Sequence, residues 1–226
     1  MTDPQPGAMR HMAFQGWPEA ALDFYDGLEE DNSKAYWTAN KAIYDQAVFG
    51  PMNELTEELG KQFGESKIFR PYRDVRFSAD KSPYKTAIGA VIGPGYVQFS
   101  ASGLAAGNGM YEMASDQLAR YRETVAEDVT GHELERIIAA ITSHDISVQG
   151  RDVLKTAPRG YPADHPRIEL LRYKGVVAWR EWPVEPWLST SAAKDKVAEF
   201  IVTTQPLHDW LHTHVGPSQL SESRRR

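Results

Sequence analysis

The chain has 226 residues and a formal net charge of −6; 41% of its residues are hydrophobic, 25% are charged, and eight Phe, ten Tyr and six Trp are available for burial. This is the composition of a globular protein with a substantial core, not of a disordered chain. The lack of cysteine excludes disulfides, thiolate metal sites, iron–sulfur clusters and cysteine nucleophiles, and the acidic balance argues against wholesale binding to nucleic acid or to an anionic membrane.

Residues 1–12 read as a flexible leader, with Met9 and Met12 as alternative starts, and carry no fold argument. No stretch has the length of a membrane span or the make-up of a signal peptide, so the expected compartment is the cytoplasm. From Pro18 to Leu28, the spacing of Leu22, Tyr25 and Leu28 predicts an amphipathic helix. A second helix is predicted over Lys34–Val48, with Trp37, Tyr44, Ala47 and Val48 on one face, and a third from Pro51, with Met52, Leu55, Leu59 and Phe63 as its stripe. Between Glu19 and Glu65 there are eleven acidic and three basic residues, which reads as a solvated acidic face.

Short β-like runs follow at Ile68–Tyr72, Ala87–Ile92, Tyr96–Ala101 and Leu104–Tyr111, with Gly93–Pro94–Gly95 as a turn. Helices return at Ser115–Ala126 and Thr130–Ile141, the latter opened by a Thr130–Glu133 capping box. Val176–Trp182 is a further strand, and two closing helices are expected on either side of Pro206. Helices segregate from strands, which predicts an α+β fold: an antiparallel sheet packed against several helices, in a single domain over 13–216 with a flexible tail at 217–226.

Two segments carry most of the chemistry. Between Lys67 and Lys85 lie six basic and two acidic residues, a local balance of +4 inside an acidic protein. Arg73, Arg76, Lys81 and Lys85 suit an anionic ligand, because Arg offers a planar fork and Lys a point charge. Asp74, Asp80 and Tyr84 are the acid–base candidates beside them. The structural alternative is that Arg73, Asp74, Arg76 and Asp80 pair with one another and tie an irregular loop down. The second segment, Gly150–Lys174, reads as a rigid extended loop broken by prolines, with Lys155 and Arg159 completing the anion pocket and His165 as a candidate for proton transfer near neutral pH or, equally, as a loop hydrogen bond.

The run Arg73–Asp74–Val75–Arg76–Phe77–Ser78 followed by Asp80–Lys81–Ser82–Pro83–Tyr84–Lys85–Thr86 resembles the signature of the family known as domain of unknown function 2461. Asn32 with Tyr36–Trp37, Gly107–Asn108–Gly109–Met110–Tyr111 and Lys155 through Pro166 resemble further parts of the same pattern, so the resemblance spans Phe14 to Val215; Ala79 departs from it where a Lys is common. The resemblance implies membership and brings no activity, substrate or cofactor with it.

Other motifs have plainer explanations. Ser78–Ala79–Asp80–Lys81 spells Ser-x-x-Lys but lacks the companion strand motif of acyl enzymes, and His208, His212 and His214 sit on a closing amphipathic helix, so no metal site is expected. Gly93-x-Gly95 and Gly107-x-Gly109 lack the following helix of a phosphate cradle, and Trp37, Trp179, Trp182, Trp187 and Trp210, which could stack on bases or sugars, are first candidates for packing. The leading expectation is therefore binding of a small anion, phosphorylated ones included, with or without turnover. The alternative is a protein- or nucleic-acid-interaction module. Cofactor and oligomeric state are not legible.

Overall fold

The computed structural model describes residues 13–74, 76 and 79–221. Helix α1 (Glu19–Glu30) buries Ala21, Phe24, Tyr25 and Leu28, as the apolar spacing requires. Helix α2 (Lys34–Ile43) opens at Ser33, whose hydroxyl accepts the Tyr36 N–H. The break expected before Pro51 is absent: one wide π turn, Tyr44–Phe49, carries α2 directly into α3 (Gly50–Phe63). A proline has no N–H for the carbonyl four residues back and its ring crowds that carbonyl. The wide turn opens the ladder there, so the helix passes through Pro51.

Six strands form one antiparallel sheet in the order β1-β2-β3-β4-β6-β5. They are β1 (Ser66–Ile68), β2 (Ala87–Ile92), β3 (Gly95–Ser100), β4 (Gly103–Met110), β5 (Ser147–Arg151) and β6 (Gly175–Trp182). The strand predicted at Ile68–Tyr72 is displaced: pairing with β2 runs from Ser66 to Ile68, Phe69 adds one bond to the Gly89 carbonyl, and Pro71 cannot donate to extend it. The segment predicted as loop from Gly150 begins inside β5, an edge strand whose polar alternation hides it, and contains the short helix α6 (Ile168–Leu171).

Between β4 and β5 the chain forms α4 (Ser115–Ala126) and α5 (Asp128–Thr142), and it closes with α7 (Ala192–His214). Helix α5 starts two residues before the predicted capping box, because the Glu127 carboxylate takes both the N–H and the hydroxyl of Thr130. The two closing helices are one. Pro206 and Val202, whose carbonyl loses its partner, both lie on the solvent side of α7, where the break costs little. Residues 217–219 are held on α4, through Arg120 to the Pro217 carbonyl and Asp116 to Ser218 and the Gln219 N–H.

The helices cover one face of the sheet: α3 lies over β1 and β2, α7 over β4, and α5 against β5. Beneath them Ile88, Ala90, Ile92, Val97, Phe99, Leu104, Ala106, Val176 and Ala178 form the core with the helical aromatics, and Trp17 stacks on Phe99 at 4.7 Å. The fold is the expected α+β arrangement, and among the described residues no helix layer covers the sheet's second face. No helix among the described residues is long and apolar enough to cross a membrane.

Candidate functional site

The first basic segment folds on itself. Asp74 accepts from the Arg76 backbone N–H, Nε and Nη2, and Asp80 accepts from the Ser82 N–H and hydroxyl and from Arg73. These donors hold both carboxyl groups down to about 2, with Arg76 acting on Asp74, and Ser82 and then Arg73 on Asp80. Carboxylates so acidic are poor proton acceptors near neutrality. Val75, Phe77 and Ser78, including the serine of the Ser-x-x-Lys match, lie outside the described residues, as do residues 1–12 of the predicted leader and 222–226 of the predicted tail. Lys81 is exposed on this loop.

Tyr84 is buried. Its ring stacks on Trp37 at 4.2 Å, and Asn32 both donates to its carbonyl and accepts its N–H, each at 3.1 Å. Burial, then the neighbouring Tyr72, pushes the Tyr84 hydroxyl above the usual phenol value. Asn32, Trp37 and Tyr84 thus form an anchor that ties the loop to the helices, which gives those three motif residues a structural role. On the second segment Lys155 and Arg159 are exposed, and His165 Nδ1 accepts the Arg167 N–H at 3.0 Å. That segment leaves β5 and the first leaves β1, opposite edges separated by five strand spacings, about 24 Å. The ten predicted residues are therefore not gathered into one pocket.

A different concavity lies on the helix-free face of the sheet, a trough of about 890 Å³. Alternation along the strands builds it. Tyr96 and Gln98 of β3, Gly107 and Gly109 of β4, Val177 and Trp179 of β6, and Gln149 and Arg151 of β5 all project to that side, opposite the core residues between them. Register then sets Tyr96, Gly107 and Trp179 in one row across three strands.

Two glycines let the aromatic rings lie down. A Cβ at Gly89 would meet the Tyr96 hydroxyl at 2.5 Å, and one at Gly107 would meet Trp179 Cε3 at 2.8 Å. Each ring rests on bare backbone and is pinned by a side chain two residues along its own strand: Tyr96 donates to Gln98 at 3.0 Å and Trp179 Nε1 to Glu181 at 2.9 Å. The ring planes lie within 21° of each other with centroids 6.2 Å apart, too far for face-to-face contact, so they form a pavement on the trough floor. Burial, then Tyr111, raises the Tyr96 hydroxyl above its ordinary value and keeps it a donor.

Each rim carries a cation over an aromatic ring. At the β5 edge the Arg151 guanidinium lies 3.7 Å from the Tyr111 centroid, with its nearest carboxylate contact, Asp152, at 3.9 Å. At the β1–β2 edge Lys85 Nζ lies 5.6 Å from the centroid of Phe69, which itself faces Tyr96 at 6.3 Å. Lys85, one of the predicted anion ligands, is tied by this contact to a trough residue. Asp152, next to Arg151, has φ +47°, a left-handed conformation that Asp adopts more readily than most residues.

Tyr96, Gln98, Tyr111, Gln149 and Arg151 were missed as site residues, and Trp179 was weighed for stacking on bases or sugars but set aside for packing. The signal was present in two patterns: Tyr-x-Gln and Trp-x-Glu pairs on alternating positions, and glycines at alternating positions of a neighbouring strand. Sequence alone cannot put Gly107 beside Trp179, because that pairing spans 72 positions. Arg167 was also missed. It is 3% exposed and donates to the Val125 and Ala126 carbonyls at 2.7 and 3.0 Å, capping the end of α4.

The model of the family described as Conserved hypothetical protein (DUF2461) matches residues 20–210, and the chain belongs to that family. It matches none of the curated proteins and none of the solved structures with which it was compared.

Proposed function

We propose that the trough binds a small organic anion that carries a ring, with the ring on the Tyr96–Trp179 pavement and the anionic group at Arg151. The observation that carries this reading is the pair of rings laid flat over Gly89 and Gly107. Both rings have their polar tips occupied by Gln98 and Glu181, so what they offer a ligand is their faces. Rings fixed in advance lose little freedom on binding, which favours affinity. A volume of about 890 Å³ falls in the range of small-molecule sites, which combine apolar lining with a few placed polar groups. Arg151, held flat by Tyr111, presents a planar fork suited to carboxylate or phosphate. Lys85 supplies a second positive charge at the opposite rim. The reading is one of binding: Asp74, Asp80, Tyr84 and His165 have the internal partners described above.

The test is thermal unfolding of the wild type, Trp179→Ala and Arg151→Gln with galacturonate, glucose 6-phosphate and AMP, and with citrate as a ringless anion. A ligand at a hundred times its Kd adds about 2.7 kcal/mol, a rise of roughly 5–10 °C in Tm for a chain of this size. The expected result is a rise with at least one ringed anion, none with citrate, and loss of the rise in both variants. Arg151→Gln changes a half-buried side chain at the rim and keeps the test valid if Trp179→Ala unfolds. Equal rises in wild type and Arg151→Gln, or none with any ringed anion, would overturn the reading.

A further inference from the structure

Resting on that reading, we infer that the ligand is an acidic saccharide of at least two joined sugar rings, bearing a carboxylate at Arg151. Three features select it. First, the floor offers two aromatic faces side by side, 6.2 Å between centroids, and not a slot that sandwiches one ring. The face of an aromatic ring is electron-rich and attracts the C–H-rich face of a pyranose. Two such faces in one open trough suit two successive rings of a chain.

Second, the polar groups around the pavement are of mixed kind. Gln98 has its carbonyl oxygen occupied by Tyr96 and keeps N–H donors, while Gln149 donates to Ser147 at 2.8 Å and keeps an acceptor. Hydroxyl groups donate and accept, so an array of both kinds around a ring's edge matches a sugar.

Third, the charge favours a single carboxylate over a phosphate chain. Arg151 is accompanied by Asp152, and Glu181 stands on the same face behind Trp179. A nucleotide's several negative charges would meet both carboxylates in a protein of net charge −6, whereas one carboxylate pairs with one guanidinium fork.

The experiment is isothermal titration of the wild type and of Arg151→Gln with three uronic-acid disaccharides of different linkage, their methyl esters, galacturonate and AMP. At least one acidic disaccharide is expected to bind tenfold or more tighter than galacturonate, its methyl ester and AMP. Arg151→Gln is expected to abolish the difference between acid and ester. AMP binding tighter than every disaccharide, or acid and ester binding alike to the wild type, would overturn the saccharide assignment and leave the ring-and-anion reading standing. Failure of every ringed compound would defeat both. Sedimentation showing a dimer whose formation is lost in Trp179→Ala would also overturn it, since the floor would then be covered by a second copy.

Discussion

Replacing Arg167 with Ala isolates the largest polar anchor in the core. The residue is 3% exposed, and its guanidinium donates to the carbonyls of Val125, Ala126 and Glu127 and to Asp128. The Glu127 contact is long at 3.4 Å, and the Asp128 side chain is 87% exposed, so neither adds much to the cost. That leaves two well-made bonds, at 2.7 and 3.0 Å, to carbonyls at the end of α4. A buried acceptor stripped of its donor costs ~1–3 kcal/mol, so two of them put the loss at about 2–6 kcal/mol. Arg167→Lys keeps one point donor in place of a fork and is expected to recover about half of it. Urea unfolding at neutral pH measures both variants, with a lower midpoint and an unchanged slope expected. A loss below about 1 kcal/mol for Arg167→Ala would refute the assignment of Arg167 as the cap of α4.

Three further outcomes follow from the geometry. Gly107→Ala drives a Cβ into the Trp179 ring and lifts it from the floor; overpacking of ~1–3 kcal/mol is partly offset by the better strand propensity of Ala, so a net loss of about 1 kcal/mol with a changed near-ultraviolet Trp signal is expected, and a stabilised protein with an unchanged signal would contradict it. Asn32→Ala removes both bonds to Tyr84 and should raise amide exchange across residues 70–86 while leaving exchange in β3 and β4 as in the wild type. Glu58 accepts from Lys194 and from the Phe14 N–H, which holds its carboxyl below the ordinary value of 4.5. A depressed carboxyl value stabilises above 4.5 and loses that contribution as pH falls through the lower, folded value, so the stability gap between wild type and Glu58→Gln should be full at pH 6 and narrow in acid. A gap that widens on acidification would reverse the sign.

The fold was legible where local patterning decides it. Leu22, Tyr25 and Leu28 mark α1 through their spacing, and the alternation of Val97 and Phe99 with Tyr96 and Gln98 marks β3. It failed where a second effect overrides the local one. Pro51 and Pro206 read as breaks, yet a π turn and a solvent-facing carbonyl let both helices run on. Strand β5 carries only one apolar residue, Val148, in Ser147–Arg151, and is defined by its partner β6. The loop chemistry was legible as charge and not as destination: the clustered arginines and aspartates in 70–82 are spent largely on one another, whereas Arg151, in the other basic segment, meets a ring brought from β4's far end. The pavement depends on register between strands, and no local pattern encodes register across a sheet.

The most direct test of the trough as the binding site is chemical-shift mapping on nitrogen-15-labelled protein, titrated in turn with the uronic-acid disaccharides and with AMP. The account predicts that the compound that binds shifts the Trp179 indole N–H, the side-chain amides of Gln98 and Gln149 and the Arg151 Nε–H, all on the helix-free face. Shifts confined to residues 70–86 or 155–165, or none with any of these compounds, would contradict it.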